Sequence, residues 1–161
     1  MIKLNLKKFL VQFFILLIIF FIDRITKIYI LNIAEDSGNV DIYVNSFLNL
    51  FLVWNTGVGF GLFSFEQSSV YNYITLIIVF INLIIAYLIY KSKDITGYFL
   101  LIILGGSLGN LFDRFAYSAV PDFIDFNFKG YHWFIFNVAD IFITFGIICL
   151  IFAELLNYKK N

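Results

Sequence analysis

A bundle of four membrane-spanning helices, carrying a small β-sheet on its outer face, is the fold this sequence predicts. Three observations lead there. Of its 161 residues 61% are hydrophobic and 21% aromatic, above the roughly one-half apolar share of soluble domains. Residues 70–90 and 95–112 contain no charged side chain, and both stretches have the length a helix needs to cross a bilayer. Seven of the nine lysines gather before, between and after the apolar runs, as Lys3, Lys7 and Lys8, then Lys91 and Lys93, then Lys159 and Lys160.

The first span covers residues 9–31, an apolar run that continues past Asp23, Arg24 and Lys27. Lysines followed by such a run also describe a secretory signal. No small-x-small cleavage pattern follows, so an uncleaved anchor is expected. Residues 40–65 are rich in Val, Phe, Leu and Tyr, interrupted by Asn45, Asn49, Gly57, Gly59 and Gly61. That composition suits short strands with glycine-permitted bends, a small sheet resting on the outer membrane surface. Spans two and three, residues 70–90 and 95–112, are joined only by Lys91, Ser92, Lys93 and Asp94, as befits an antiparallel helical pair. Residues 114–133 hold the only proline, Pro121, and the only histidine, His132; an extracytoplasmic loop or short helix is expected there. Trp54 and Trp133 suit the outer interface, where amphipathic rings are favoured. Span four covers residues 137–157, and the whole of 1–161 forms a single membrane-embedded domain.

Charge placement orients the bundle. By the positive-inside rule the lysine-bearing ends and the 91–94 turn face the cytoplasm. The other two connections carry Glu35, Asp36, Asp41 and Glu66, and then Asp122 and Asp125, and are expected to face outward. A single cysteine, Cys149, excludes an internal disulfide, and with one histidine a zinc site is implausible. No metal, cofactor or nucleic-acid partner is expected.

Ionisable groups in or at the end of a span are costly and mark either function or a relieving partnership. Asp23 and Lys27 share one face near the outer end of span one. Asn110, Asp113 and Arg114 lie at the outer end of span three. Asn137, Asp140 and Thr144, at spacings of three and four, share a face of the first turns of span four. Asn55 and Gly57 belong to the outer connection. Each of these is also readable as a helix-end anchor or surface ion pair; the convergence of so many at one membrane face argues for a site.

Two carboxyl groups close together in a poorly hydrated place do not both ionise easily, so one keeps its proton and the pair works as base and acid. That is the chemistry of aspartic peptidases, which need neither metal nor covalent intermediate. Spacing alone leaves Asp23, Asp113, Asp122, Asp125 and Asp140 all open as members of such a pair.

Five blocks narrow the choice. Asp23-Arg24-Ile25-Thr26-Lys27, the Asn55-Thr56-Gly57 segment running to Gly61, Gly105-Gly106-Ser107-Leu108-Gly109-Asn110-Leu111-Phe112-Asp113-Arg114, Val120-Pro121-Asp122-Phe123-Ile124-Asp125 and Phe136-Asn137-Val138-Ala139-Asp140 resemble, in order and interval, the signature blocks of lipoprotein signal peptidases (signal peptidase II). The resemblance implies an intramembrane aspartic endopeptidase of the bacterial inner membrane, whose active site faces the periplasmic side. It implies Asp122 and Asp140 as the catalytic pair, and Asn55, Gly57, Asn110, Arg114 and Asn137 as supporting or substrate-binding residues. Asp23 and Lys27 would pair on the first span. The implied substrate is a prolipoprotein whose cysteine carries diacylglycerol, cut on the amino side of that cysteine. Sensitivity to globomycin-type antibiotics is implied too, and a monomer among membrane lipids is expected. Two departures stand out: Gly59 where the family commonly has alanine, and Pro121 just before Asp122, restricting the backbone there.

Other readings compete. Gly105-Gly106-Ser107-Leu108-Gly109 matches a serine nucleophile elbow, but that motif needs a strand before it and a helix after it. Inside an apolar span, Gly105 and Gly109 instead suit close helix packing. Asp113 and Arg114 are expected to pair with each other structurally, and Asp125 to be a solvated loop residue. The outer sheet and residues 114–133 are expected to shield the carboxylates as a lid. A small transporter or channel subunit is the alternative function, and it would spread ionisable groups to the midplane or to both faces.

Overall fold

The computed structural model describes residues 6–57, 68–128 and 131–158. Lys3, Gly59, Gly61, Glu66, Lys159, Lys160 and the side chains of His132 and Trp133 lie outside the described residues. The elements run α1 (Leu6–Ser37), β1 (Asp41–Asn45), β2 (Leu48–Asn55), α2 (Ser68–Lys91), α3 (Thr96–Tyr117), β3 (Val120–Phe128), β4 (Tyr131–Phe136) and α4 (Val138–Tyr158). All four helices are long and apolar enough to cross a membrane. Helices α1, α2 and α4 are lined with exposed Phe, Ile and Leu, among them Phe14, Ile77 and Phe145, the surface that a hydrocarbon solvent leaves unpenalised.

Two helices run further than hydropathy suggests. Helix α1 continues through Glu35 and Asp36 to Ser37. It stops where Gly38 adopts a left-handed φ of 80° and its N–H bonds back to the Ala34 carbonyl at 2.9 Å, a common C-terminal cap. Helix α3 continues past Phe112 to Tyr117, and Ser118 turns it off with φ 56°. Asp113 and Arg114 are therefore buried helix residues, not loop anchors.

Helix α3 is central, packed against α1, α2 and α4. Its glycines make that possible. A Cβ on Gly105 would come within 2.9 Å of Ile19, one on Gly106 within 2.5 Å of the Ala139 carbonyl oxygen, and one on Gly109 within 2.5 Å of an Asp23 carboxylate oxygen. Gly105 and Gly109 are thus close-packing positions, and Ser107 sits inside α3 with helix on both sides of it. At the opposite end, Lys8 donates to the Ser92 carbonyl at 2.8 Å, tying α1 to the α2–α3 turn. Asp94 accepts from the Thr96 and Ser92 hydroxyls, which hold its carboxyl below the usual range.

The expected sheet is present, but it draws strands from both connections. Its order is β1-β2-β3-β4, every pair antiparallel. The stretch expected as loop or short helix thus supplies β3 and β4, and the two elements expected to act as a lid are hydrogen-bonded neighbours. The alternation in Val120–Phe128 is masked by a run of buried residues on both faces, which is why it does not read as a half-exposed strand. Pro121 opposes Trp54 of β2, in a part of β3 that β4 does not reach, since that pairing begins at Ile124. A residue without an N–H is tolerated there. Ile30, Val40 and Phe123 form a buried cluster that seats the sheet on the end of α1.

Candidate active site

Helix α4 begins with a reciprocal cap. The Asn137 side-chain oxygen accepts the Asp140 N–H at 3.2 Å, and an Asp140 carboxylate oxygen accepts the Asn137 N–H at 3.1 Å. This is a capping box with asparagine and aspartate in the two roles, and it satisfies donors that a helix start leaves orphaned. A further one, the Ala139 N–H, is taken by Asp23 of α1 at 3.0 Å.

Asp122 meets this helix start from the sheet. It lies on β3 opposite Val53 and is 2% exposed. Asn137 donates its side-chain amide to one Asp122 oxygen at 2.6 Å, and Asn55 from the end of β2 donates to the other at 2.8 Å. The Asn55 amide is itself oriented by the Gly57 N–H, 2.8 Å from its oxygen. Burial, and next the charge of Asp140, push the Asp122 carboxyl up to about 7. A carboxyl that accepts two amide hydrogen bonds and still rises this far is governed by desolvation and a like-charged neighbour.

Behind Asp140 stands a buried charge network. Asn110 donates to the second Asp140 oxygen at 2.8 Å and accepts from Lys27 Nζ at 2.7 Å. Lys27, 0% exposed, also contacts Asp113 at 2.7 Å and Asp23 at 2.9 Å. Arg24 completes the set, 2.6 Å from Asp113 and 3.4 Å from Asp23, with its guanidinium 4.9 Å from the Phe112 ring centroid. Two cations and two carboxylates balance, which is the condition for keeping four charges out of water.

The structure brings together every residue proposed for the site: Asp23, Lys27, Asn55, Gly57, Asn110, Arg114, Asn137, Asp122 and Asp140. Two expectations need correction. Asp113 does not pair with Arg114; consecutive helical residues point about 100° apart, so Asp113 turns to Lys27 and Arg24. Arg114 turns instead to the Gly57 carbonyl and lies 5.2 Å over the Tyr71 ring, and Tyr71 donates to the Arg114 carbonyl at 3.2 Å. Asp125 is not solvated but 1% exposed, because β3 is an inner strand. Odd spacing puts it on the face opposite Asp122, beside a separate cavity with Asp41, Asn49 and Phe51. Arg24 and Tyr71 were not singled out as site residues. Arg24 was findable, since a second cation beside Asp23 within a span requires a second anion; nothing in the sequence marks Tyr71.

A cavity of about 480 Å³ opens among α2, α3 and α4 and is lined by Asp122, Asp140, Asn55, Asn110 and Arg114 at one end. Its remaining walls are Ile78, Ile81 and Ile85 of α2, Ile103 of α3 and Ile143 and Ile147 of α4, with Ser107 and Thr144 among them. The arrangement presents two carboxyl groups, held by amides, at the mouth of an apolar trough within the bundle.

Residues 15–156 match the family described as signal peptidase (SPase) II. A "lipoprotein signal peptidase" of Pelagibacter ubique is 53% identical over 160 residues, covering 99% of this chain and 96% of the relative. One of Anaplasma phagocytophilum is 36% identical, covering 93% of this chain and 95% of the relative. Among solved structures, a bacterial membrane enzyme determined by the in meso method at 2.3 Å superposes with a TM-score of 0.74 at 27% identity, covering 94% of this chain and 91% of that one. These names are a peptidase's or a membrane enzyme's, and the transporter reading finds no support among them.

Proposed function

This chain belongs to the signal peptidase II family, and we propose that it is the intramembrane aspartic endopeptidase that cuts diacylglyceryl-modified prolipoproteins on the amino side of the lipidated cysteine. The observation that carries the reading is the Asn137 bridge, whose side-chain amide holds Asp122 and whose backbone N–H holds Asp140 at the head of the trough. Asp122 holds the shared proton, in keeping with its raised carboxyl. Asp140 carries the charge, which the N-terminal first turn of α4 favours.

In the reaction Asp140 takes a proton from water as the water oxygen attacks the scissile carbonyl carbon. Asp122 hydrogen-bonds the carbonyl oxygen and stabilises the charge that develops there. Collapse of the tetrahedral species breaks the C–N bond, with the proton passing to the departing amine. Asn55, Asn110 and Asn137 hold both carboxyls in register. Arg114 and Gly57 shape the mouth, and the network of Asp23, Arg24, Lys27 and Asp113 fixes the frame. Membrane embedding follows from the substrate: a lipid-anchored signal helix does not leave hydrocarbon cheaply, so the carboxyls must lie at the depth of its scissile bond.

The same reading places the protein in the bacterial inner membrane as a monomer, with both termini cytoplasmic and the pair toward the outer face. It also extends to globomycin-type peptides filling the trough. Purified protein incubated with a diacylglyceryl-modified precursor and its unmodified counterpart should cut only the first. Cleavage of both, or of neither, overturns the reading, and a globomycin-type peptide that leaves cleavage unaffected removes the inhibitor part.

A further inference from the structure

Ser107 and Thr144 line the trough yet take no part in the network around the pair. Other hydroxyls in these helices bond back to their own helix, as Thr26 does to Ile22 and Thr75 to Tyr71. Among the described residues, neither Ser107 nor Thr144 has a hydrogen-bond partner. A hydroxyl among isoleucines in a bilayer is a standing cost unless something else meets it.

Depth says what that something is. Ser107 lies three residues before Asn110 on α3 and Thr144 four residues after Asp140 on α4, so both sit about 4.5–6 Å further along the helices than the carboxyl level, at 1.5 Å per residue. A peptide group has to leave its helix before its carbonyl can be attacked. Once extended, it and its neighbours have N–H and C=O groups with no partner in hydrocarbon. At about 3.3 Å per extended residue, the two hydroxyls lie level with a peptide group roughly two residues to the amino side of the scissile bond. The six isoleucines around them offer that group nothing, whereas a hydroxyl both donates and accepts.

We propose that Ser107 and Thr144 are positioning residues that hydrogen-bond the unwound substrate backbone about two residues before the cut, holding it extended across the catalytic pair. This rests on the peptidase reading above. It makes the trough selective for an unwound backbone as well as for apolar side chains.

The test compares a modified precursor peptide with an analogue in which an ester replaces the amide at that position. The full-length protein is compared with its Ser107→Ala/Thr144→Val variant. With two hydrogen bonds lost, the variant should lose about tenfold or more in kcat/KM on the amide substrate. The wild type should discriminate against the ester, which lacks one N–H donor, by a smaller factor of several-fold, and the variant should not. Exchanging the hydroxyls, Ser107→Thr with Thr144→Ser, should restore the discrimination. A variant that cuts the amide substrate as well as wild type, or that keeps the full ester penalty, overturns this inference alone. A wild-type protein that leaves the modified precursor uncut overturns the peptidase reading and this inference with it.

Discussion

Asn137 donates its side-chain amide to Asp122 at 2.6 Å while its own oxygen caps the helix that carries Asp140. The Asn137 side chain thus orients the Asp122 carboxyl and caps the helix start, while its backbone N–H holds the Asp140 carboxyl at 3.1 Å. Asn137→Ala should lower kcat by at least about tenfold, and loss of the cap should cost about 1 kcal/mol of stability. Single-turnover cleavage and thermal unfolding in detergent measure the two. A variant weakened in only one respect would show that the roles are separable.

On the proposed mechanism, replacing Asp122 or Asp140 by asparagine removes a proton carrier while keeping size and shape. Each change should reduce cleavage by at least about 10²-fold, the usual scale of a lost acid or base, and leave membrane insertion intact. Gel analysis of a modified precursor with purified variants is the check. Residual turnover near wild type in either would remove that residue from the pair.

The raised carboxyl of Asp122 sets a pH limit. Because its folded value is about 7, it keeps its proton below that pH and loses it above. A step that needs this proton therefore fades as pH rises through about 7, and the acid limb belongs to the pair's first ionisation. The profile of kcat/KM should be a bell with its alkaline shoulder near neutrality. Activity constant from pH 5 to 9 would contradict a shared proton, whose loss a bell-shaped profile reports.

Lys27→Met should be among the most damaging changes outside the pair. It leaves Asp23 and Asp113 buried with Arg24 alone, and breaking a buried ion pair on one side typically costs about 3–5 kcal/mol. It also removes the donor that orients Asn110 toward Asp140. The unfolding midpoint and the yield of folded protein in detergent should both fall; an unchanged midpoint would mean that the network is cheap to disrupt.

Gly109→Ala tests which of two opposing effects wins. In an open helix the change gains up to about 1 kcal/mol. Here the new Cβ would lie 2.5 Å from an Asp23 oxygen that Lys27 already holds, and overpacking costs typically about 1–3 kcal/mol. Net destabilisation, read by thermal unfolding, is expected; a stabilised variant would show that Asp23 yields freely.

The helices were legible because lipid demands long apolar runs, and the end at which the polar groups meet followed from the order of the spans. What hydropathy missed has one cause. It reads Asp113 and Arg114 as the end of a span, whereas the structure carries both inside α3, each satisfied by a different partner. Asp125 was misjudged for a related reason: a strand buried on both faces lacks the alternation that reveals strands, so Val120–Phe128 looked like a loop. The candidate pair itself was narrowed by resemblance, since spacing along the chain carries no information about a contact between a sheet and a helix start.

The reach of Asp23 from α1 to the Ala139 N–H of α4 has a meaning for biogenesis. Asp23 of α1 finds this partner only after α4 has been made, so the frame of the site closes when α4 inserts.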